Sequence, residues 1–317
     1  MTPVEQPVSA AAAAADSAGP VARTQQLKMW AARASVGVAI GLIAAKAGAY
    51  IATNSVSLLS TLVDSLLDFA ASLVNLVAIR HAGTPADREH RFGHGKAEPL
   101  AGLGQAAFVA GSAVFVLVQA VDRLMRPVPV ANEVIGIAVM ILSIGVTFGL
   151  VVYQRWVIRE TGSVAVGADA LHYTSDLMVN LGVILAIIVS SRLGWHLADP
   201  LFAGLVALYI LWSAWGIFHG SFNLLMDREL AESDRERIRT IALAHPSVIS
   251  IHDLRTRSSG TQTFIQFHLE MDGNLTLIDA HLIADSVMKQ IEREFPDAEV
   301  LIHEDPYGVA ERRPAFE

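Results

Sequence analysis

The sequence predicts two parts: an all-α membrane domain of six transmembrane helices, and then a cytoplasmic α+β domain of order α-β-β-α-β, ferredoxin-like in layout. Composition is the first observation, because 53% of the 317 residues are hydrophobic and only 17% are charged, against about 25% in soluble domains. Charge placement is the second. Residues 1–226 carry 13 acidic and 13 basic side chains, whereas residues 227–317 carry 18 and 10, which accounts for the net charge of −8.

Six apolar segments supply the predicted membrane helices, since about 20 helical residues cross a bilayer. The connections after the first and fifth segments are short, so each of those helices should form an antiparallel hairpin with the next one. The first 26 residues, which include an alanine run, are expected to be a disordered tail, and the membrane domain covers residues 27–226. The six segments are 30–52, 56–80, 97–121, 134–153, 163–190 and 199–220.

Beyond residue 226 the pattern changes to that of a compact α+β domain over residues 227–308, followed by a tail at 309–317. Residues 232–244 are predicted to form an amphipathic helix. In Thr263–Met271 apolar residues recur at every second position, which is typical of a strand with one buried face. The remaining elements are strands at 248–256 and 299–303 and a helix at Leu277–Glu294. Because about 80 residues bury only a modest core, pairing with a second copy is expected.

Lysine and arginine placement predicts the orientation, because cytoplasmic loops of membrane proteins are enriched in these residues. Both termini, and with them the acidic C-terminal domain, should therefore be cytoplasmic. The basic residues assigned to that side are Arg23, Lys28, Arg33, Arg80, Arg88, Arg91, Lys96, Arg155 and Arg159, against Arg123, Arg126 and Arg192 on the other.

Two pairs of side chains inside the predicted membrane helices point to a cation site. Asp64 and Asp68 lie four residues apart on the second helix, and His172 and Asp176 are spaced in the same way on the fifth. Residues at this spacing share a helix face. Two carboxylates about 12–18 Å deep in a bilayer are costly unless a cation compensates them. Lys46 is the only cationic side chain well inside a predicted span, and it lies near the outer end, where its ammonium can reach the interface.

The donor set favours zinc. The chain has no cysteine, so only imidazole nitrogen and carboxylate oxygen are available for a metal. Three carboxylates and one imidazole suit tetrahedral Zn²⁺, whereas oxygen alone would suit Mg²⁺ or Mn²⁺. Cd²⁺, Fe²⁺ and Co²⁺ remain open. The alternative interpretation is a buried polar network that only fixes helix packing, and Asp169 is interpreted as an entrance or capping residue rather than a ligand.

With these two motifs and the stretch from residue 85 to residue 98 (PADREHRFGHGKAE), the chain resembles the cation diffusion facilitators over roughly residues 30–308. It is most similar to their bacterial zinc and iron efflux branch. This resemblance implies a homodimer in the bacterial inner membrane that exchanges metal for protons by alternating access. It implies no enzymatic activity and no nucleic-acid partner.

The resemblance also implies further metal sites. One lies in the loop between helices 2 and 3 at Asp87, His90 and His94, whose spacing and flanking glycines independently suit an ion. Another lies between the cytoplasmic domains of two protomers. Its implied ligands are His252, His268, His281, His303 and Asp305. An ion pair of Lys96 with Asp227 is implied to hold the membrane dimer.

Two other classes of function stay open at this stage. A membrane-bound sensor would bind metal without moving it. A membrane hydrolase would need an open coordination position and a substrate cleft, whereas four protein ligands would close the site. Because ligands must lose protons to bind metal, and because imidazole titrates near neutral pH, His172 is the expected proton carrier.

Overall fold

The computed structural model describes residues 10–53, 56–125, 134–193 and 197–309. Residues Thr24–Phe222 form one compact unit, and the chain from Asn223 onward forms another. Six long helices occupy the first part of the chain, which confirms the predicted all-α membrane domain. They are α1 (Ala10–Thr53), α2 (Val56–Ala82), α3 (Ala97–Met125), α4 (Val134–Thr161), α5 (Val164–Leu193) and α6 (Ala198–Leu225).

Two helix ends differ clearly from the prediction, and each difference has a local cause. Helix α1 begins at Ala10 rather than near residue 30, so residues 10–26 are helical where a disordered tail was expected. Alanine is the strongest helix former, and six of them open this helix. Residues 1–9 and 310–317, where the remainder of the predicted tails falls, lie outside the described residues. Helix α4 continues to Thr161 and ends where Gly162 adopts a φ of 62°, a conformation that favours glycine.

The outer faces of the helices are apolar. Val74, Phe115 and Trp212 are each more than 60% exposed, although they lie in the middle of long hydrophobic segments. By length and composition α1, α2, α3, α4 and α6 can each cross a membrane, counting only the residues that the structure describes. Helix α5 is 30 residues long and packs against α2, α3 and α4. Apolar side chains turned outward along such helices are what a hydrocarbon environment requires.

A buried ion pair joins the first and third helices. The ammonium of Lys28 on α1 lies 2.9 Å from a carboxylate oxygen of Glu98 in the first turn of α3, and the two side chains are 2% and 1% exposed. The hydroxyl of Ser163, which precedes α5, donates a 2.5 Å hydrogen bond to the other Glu98 oxygen. The same hydroxyl accepts from the amide of Val166 and so caps α5. The beginnings of α3 and α5 and the middle of α1 are therefore fixed to one carboxylate.

The second unit has the predicted α-β-β-α-β order. It consists of α7 (Glu232–Leu243), β1 (Ser250–Ser258), β2 (Thr263–Met271), α8 (Leu277–Glu294) and β3 (Ala298–Pro306). Strand β2 is central, antiparallel to β1 and parallel to β3. The alternating residues of β2 face the core with the inner faces of the two helices. The buried core is Ile238, Ala242, Leu254, Ile265, Phe267, Leu269, Met271, Ala284, Val287, Ile291 and Val300.

Candidate metal centres

The two paired motifs of the membrane unit meet in space. Helices α2 and α5 bring Asp68 and His172 together, with His172 Nε2 3.0 Å from Asp68 Oδ1. Asp176, one turn further along α5, places Oδ2 3.8 Å from the same nitrogen. These three residues form a group whose donor atoms lie within 4.8 Å of one another. Tetrahedral ligands with metal bonds of about 2.0–2.1 Å stand about 3.3 Å apart, so the observed spacings fit one ion.

Asp64 does not belong to this group. It lies on α2 one turn from Asp68, as predicted, but its carboxylate is outside the set of mutually close donors, and the residue is exposed. The membrane cluster therefore holds three of the four predicted ligands. The imidazole of His172 is further packed between rings, with centroids 5.9 Å from that of Phe108 and 5.5 Å from that of Tyr173. Those rings restrict how far the histidine can turn.

Asp169 is part of a buried network rather than an entrance residue, which corrects that interpretation. It is 1% exposed. Its two oxygens accept hydrogen bonds from side chains on four other helices. The donors are Ser35 on α1 at 2.5 Å, Ser72 on α2 at 3.2 Å, Gln105 on α3 at 3.2 Å and Gln154 on α4 at 2.7 Å. A carboxylate so surrounded fixes five helices together, one turn of α5 before His172.

The loop between α2 and α3 forms a second cluster. Asp87 Oδ1 lies 3.5 Å from His90 Nδ1, and Asp87 Oδ2 lies 3.4 Å from His94 Nε2. The backbone amides of His90 and Glu89 donate to Asp87 at 2.6 and 2.9 Å. The hydrogen bond from the His90 amide is the main cause that lowers the pKa of Asp87 below its ordinary value of 3.8. This carboxylate is therefore ionised, and ready to bind a cation, throughout the neutral range.

His81 is a further residue of this loop cluster, and no sequence motif pointed to it. It lies in the last turn of α2, and its ring centroid is 4.5 Å from that of His94 in an edge-to-face arrangement. The His94 side chain is only 7% exposed. Only folding of the loop brings these two residues together, because they are 13 positions apart. Gly93, with a φ of 75°, makes the turn that returns the chain.

The third cluster lies across the sheet of the second unit. His252 on β1 faces His268 on β2 in the strand register, and Glu270 on β2 is aligned with Asp305 on β3. Asp305 Oδ2 stands 2.7 Å from His268 Nδ1 and 3.7 Å from His252 Nε2. His252, His268 and Asp305 form a group of possible metal ligands with donors within 4.8 Å.

Two other predicted ligands lie at different distances from this cluster. His303 places Nε2 3.2 Å from Asp305 Oδ1, so Asp305 faces imidazoles with both of its oxygens. His281 is 74% exposed, and its Nδ1 is 3.9 Å from Glu304. His281 is outside the group of three, and an exposed residue of this kind is available to a second copy of the chain.

Two carboxylates behind these histidines were missed from the sequence. Glu270 places Oε1 3.5 Å from His252 Nδ1, and Asp253 places Oδ2 3.9 Å from His268 Nε2. Each therefore lies on the side of the imidazole that points away from Asp305, the side from which a carboxylate orients a ligating histidine when it approaches to hydrogen-bond distance. Asp253 lies at a break in the β1–β2 register and has a φ of 48°, so a bulge turns it toward the site. The signal for Glu270 was present, since residues two apart on a strand share a face.

The predicted partners Lys96 and Asp227 lie in different compact units. Lys96 is the last residue before α3. Asp227 follows α6 with a φ of 55°, and its Oδ1 is 3.5 Å from Nη1 of Arg257. Their ion pair stays a prediction.

The chain is similar in sequence to known proteins over most of its length. Residues 32–226 match the description "cation efflux transmembrane domain", and residues 230–307 match "cation efflux protein, cytoplasmic domain". The cation-efflux pump FieF of Shewanella oneidensis is 47% identical over 290 residues, which cover 90% of this chain and 98% of the pump. The FieF pump of Klebsiella pneumoniae is 48% identical over 279 residues, which cover 88% and 93%.

Among solved structures, the metal-bound C-terminal domain of the CzcD transporter from Thermotoga maritima is 29% identical. The match covers 26% of this chain and 100% of that domain, with a TM-score of 0.25. The family profiles together span nearly the whole described chain, and the family's members are membrane transporters of metal cations rather than enzymes. The chain belongs to the cation efflux family, the cation diffusion facilitators.

Proposed function

We propose that this chain exports a divalent transition metal, with zinc as its first substrate, from the cytoplasm in exchange for protons. The observation that carries the proposal is the convergence of Asp68, His172 and Asp176 from two membrane helices. Asp64, on the same face of α2, completes the ligand set when its side chain turns toward the others. One nitrogen among oxygen donors favours Zn²⁺ over Mn²⁺, with Fe²⁺ and Cd²⁺ as the nearest alternatives.

The chemistry of the ligands supplies the coupling. His172 binds metal only as neutral imidazole, so loading the site releases its proton and unloading lets a proton return. Since His172 Nε2 is 3.0 Å from Asp68 and 3.8 Å from Asp176, the same nitrogen holds either a proton shared with the carboxylates or a metal. Alternating exposure of the site to the two sides of the membrane then exchanges one for the other.

Flux into proteoliposomes under an imposed pH gradient tests this proposal. Zn²⁺, Fe²⁺, Mn²⁺ and Cd²⁺ are offered separately to the parent chain and to Asp176→Ala. We expect zinc flux in the parent to depend on the gradient and to fall to background in Asp176→Ala. Asp122→Ala, which removes an exposed carboxylate of α3, is the matched control. Equal flux in the parent and in Asp176→Ala would exclude this site.

Metal selectivity is tested separately with His172→Asp. This change keeps a carboxylate where the imidazole stood, so the site becomes all oxygen. We expect the ratio of zinc to manganese flux to fall by about tenfold or more, on the order of the 1.4 kcal/mol that a tenfold change in equilibrium requires. An unchanged ratio would show that His172 does not set selectivity.

The second unit is proposed to hold resident zinc between two protomers. The donors fit, because His252, His268 and Asp305 offer two nitrogens and one oxygen at spacings close to those of tetrahedral zinc. His303 and the exposed His281 are then available to a further ion or to the partner protomer. Zinc here would draw together two acidic domains that otherwise repel one another. We propose a homodimer with both termini in the cytoplasm. An ion pair of Lys96 with Asp227 is proposed to hold the membrane parts of the dimer together.

We infer that zinc bound at this cluster regulates transport by drawing the two cytoplasmic domains together. The variant Asp305→Ala tests this role. We expect this variant to keep its maximal zinc flux and to lose the activation by added zinc that the dimerised domain gives. Metal removal by a chelator should separate the two cytoplasmic domains of the parent, as measured by cross-linking of single cysteines introduced into both. Identical zinc dependence of flux in the variant and the parent would refute regulation by this site.

A further inference from the structure

The ammonium of Lys46 is held against α2 instead of reaching the membrane interface as the sequence analysis expected. Its Nζ donates a 2.6 Å hydrogen bond to Ser65 Oγ and a 3.2 Å hydrogen bond to the carbonyl oxygen of Thr61. Ser65 is 1% exposed and Lys46 is half-buried. A long flexible side chain that donates to a buried hydroxyl has given up much of its rotamer freedom, so its position is determined by the fold.

This position is beside the candidate transport site. Ser65 is the residue after Asp64 and lies three before Asp68 on α2, so the hydroxyl that holds the ammonium is within one helical turn of both residues along the chain. Its charge also acts on Asp176 across from α2. The described part of the membrane unit therefore holds this cation against the helix that carries Asp64 and Asp68, where its charge acts on Asp64 and Asp176.

Charge balance at the metal site indicates a role for this cation. With Asp64 turned toward the other ligands as proposed above, the three carboxylates and one ammonium carry two negative charges in all, which a divalent metal ion neutralises completely. Without the ammonium the same ligands would keep one uncompensated negative charge after binding Zn²⁺, inside a medium where that charge is costly. A transport site must also release what it binds, so its affinity has to stay limited.

We propose that Lys46 is a built-in counter-cation that matches the transport site to a divalent ion and lowers its affinity enough for release. It is a specificity-determining residue that does not ligate the metal, since its ammonium is bonded to Ser65 and Thr61. This inference rests on the proposed transport function of Asp68, His172 and Asp176, with Asp64 as the fourth ligand.

The proposal predicts that loss of the ammonium raises the affinity for zinc and lowers the rate of turnover. The ammonium and a bound Zn²⁺ are like charges, and their repulsion in a partly buried site should weaken zinc binding by about tenfold. Removing the ammonium should therefore tighten zinc binding and slow its release. A lysine that only tied α1 to α2 would produce the opposite pattern, because a loosened site binds more weakly.

The experiment measures initial zinc flux against zinc concentration in proteoliposomes at a fixed pH gradient. Lys46→Met keeps most of the stem and removes the charge, and Lys46→Arg keeps the charge. We expect Lys46→Met to lower KM by about tenfold and to lower kcat as well, while Lys46→Arg stays within about threefold of the parent in both. Lys289→Met, which removes an exposed lysine of α8, is the control and should match the parent.

The outcomes distinguish the counter-cation proposal from the transport proposal on which it rests. An unchanged or raised KM in Lys46→Met, with Lys289→Met like the parent, overturns the counter-cation role. Size-exclusion profiles check folding, and Lys46→Gln makes the same comparison if the methionine variant aggregates. Asp176→Ala runs in parallel: if it transports like the parent, the transport site itself is wrong, whatever Lys46→Met does.

Discussion

Replacing Glu98 by glutamine tests how the membrane unit is held together. The change keeps one oxygen to accept from Ser163 but removes the charge that faces Lys28 at 2.9 Å, where both side chains are almost fully buried. Loss of one partner from a buried ion pair costs about 3–5 kcal/mol, because the other charge stays in a medium that solvates it poorly. For a unit of this size, each kcal/mol lowers the melting temperature by roughly 2–4 °C. We therefore expect Glu98→Gln to melt about 10 °C below the parent.

Thermal denaturation in detergent, followed as the fraction that stays monodisperse by size exclusion, measures this shift. Glu160→Gln is the control, because Glu160 is an exposed carboxylate at the end of α4 in the same unit and its loss should cost about 1 kcal/mol or less. The double variant Lys28→Met with Glu98→Gln removes both charges and should recover most of the lost stability. A double variant as unstable as Glu98→Gln alone would refute the reasoning.

Three further perturbations follow from particular contacts. Gly102→Ala should destabilise the membrane unit, because a Cβ there would stand 2.7 Å from the buried Ser221 Oγ, whereas Gly104→Ala meets nothing within 4 Å and should be neutral; melting temperatures check both. Asp169→Leu should lower the melting temperature more than Asp169→Asn, since the amide keeps one acceptor for the surrounding donors and the leucine keeps none; equal melting temperatures would contradict this. Folding lowers the pKa of Asp87 below 3.8, so its charged form contributes to loop stability above about pH 4 and that contribution is lost as the pH falls further. Asp87→Asn should therefore weaken zinc binding by the loop by the same factor at pH 7 and at pH 5, as zinc titrations of both chains would show; a factor that shrinks at pH 5 would contradict this.

Local periodicity accounts for the parts of the fold that the sequence predicted well. Strand β2 and helix α8 begin and end at the predicted residues, because alternation along β2 and the apolar stripe of α8 are properties of neighbouring residues. The same holds for the spacing of His172 and Asp176, which share a face wherever the helix lies. Helix ends were less predictable, as α1 and α4 show, since good helix formers continue a helix past the apolar segment.

The polar side chains between helices could not be predicted from periodicity. Lys28 was assigned to a cytoplasmic flank, yet it is buried against Glu98, 70 residues away. Asp169 was interpreted as an entrance residue, yet its donors come from four other helices. Lys46 was expected at the interface and instead donates to Ser65. In each case the partner lies on another helix, and sequence spacing carries no information about rotation and approach between helices.

The sequence alone determined that this chain has a membrane unit and an acidic α+β domain, and that paired carboxylates and a histidine lie on two of its helices. These conclusions depend on composition and on the geometry of single elements, which neighbouring residues control. Only the tertiary structure decided that Asp68, His172 and Asp176 converge while Asp64 lies apart, and that the Lys46 ammonium of α1 donates to Ser65 on α2. Such contacts depend on how separate helices pack, and packing sums many weak interactions over the whole unit.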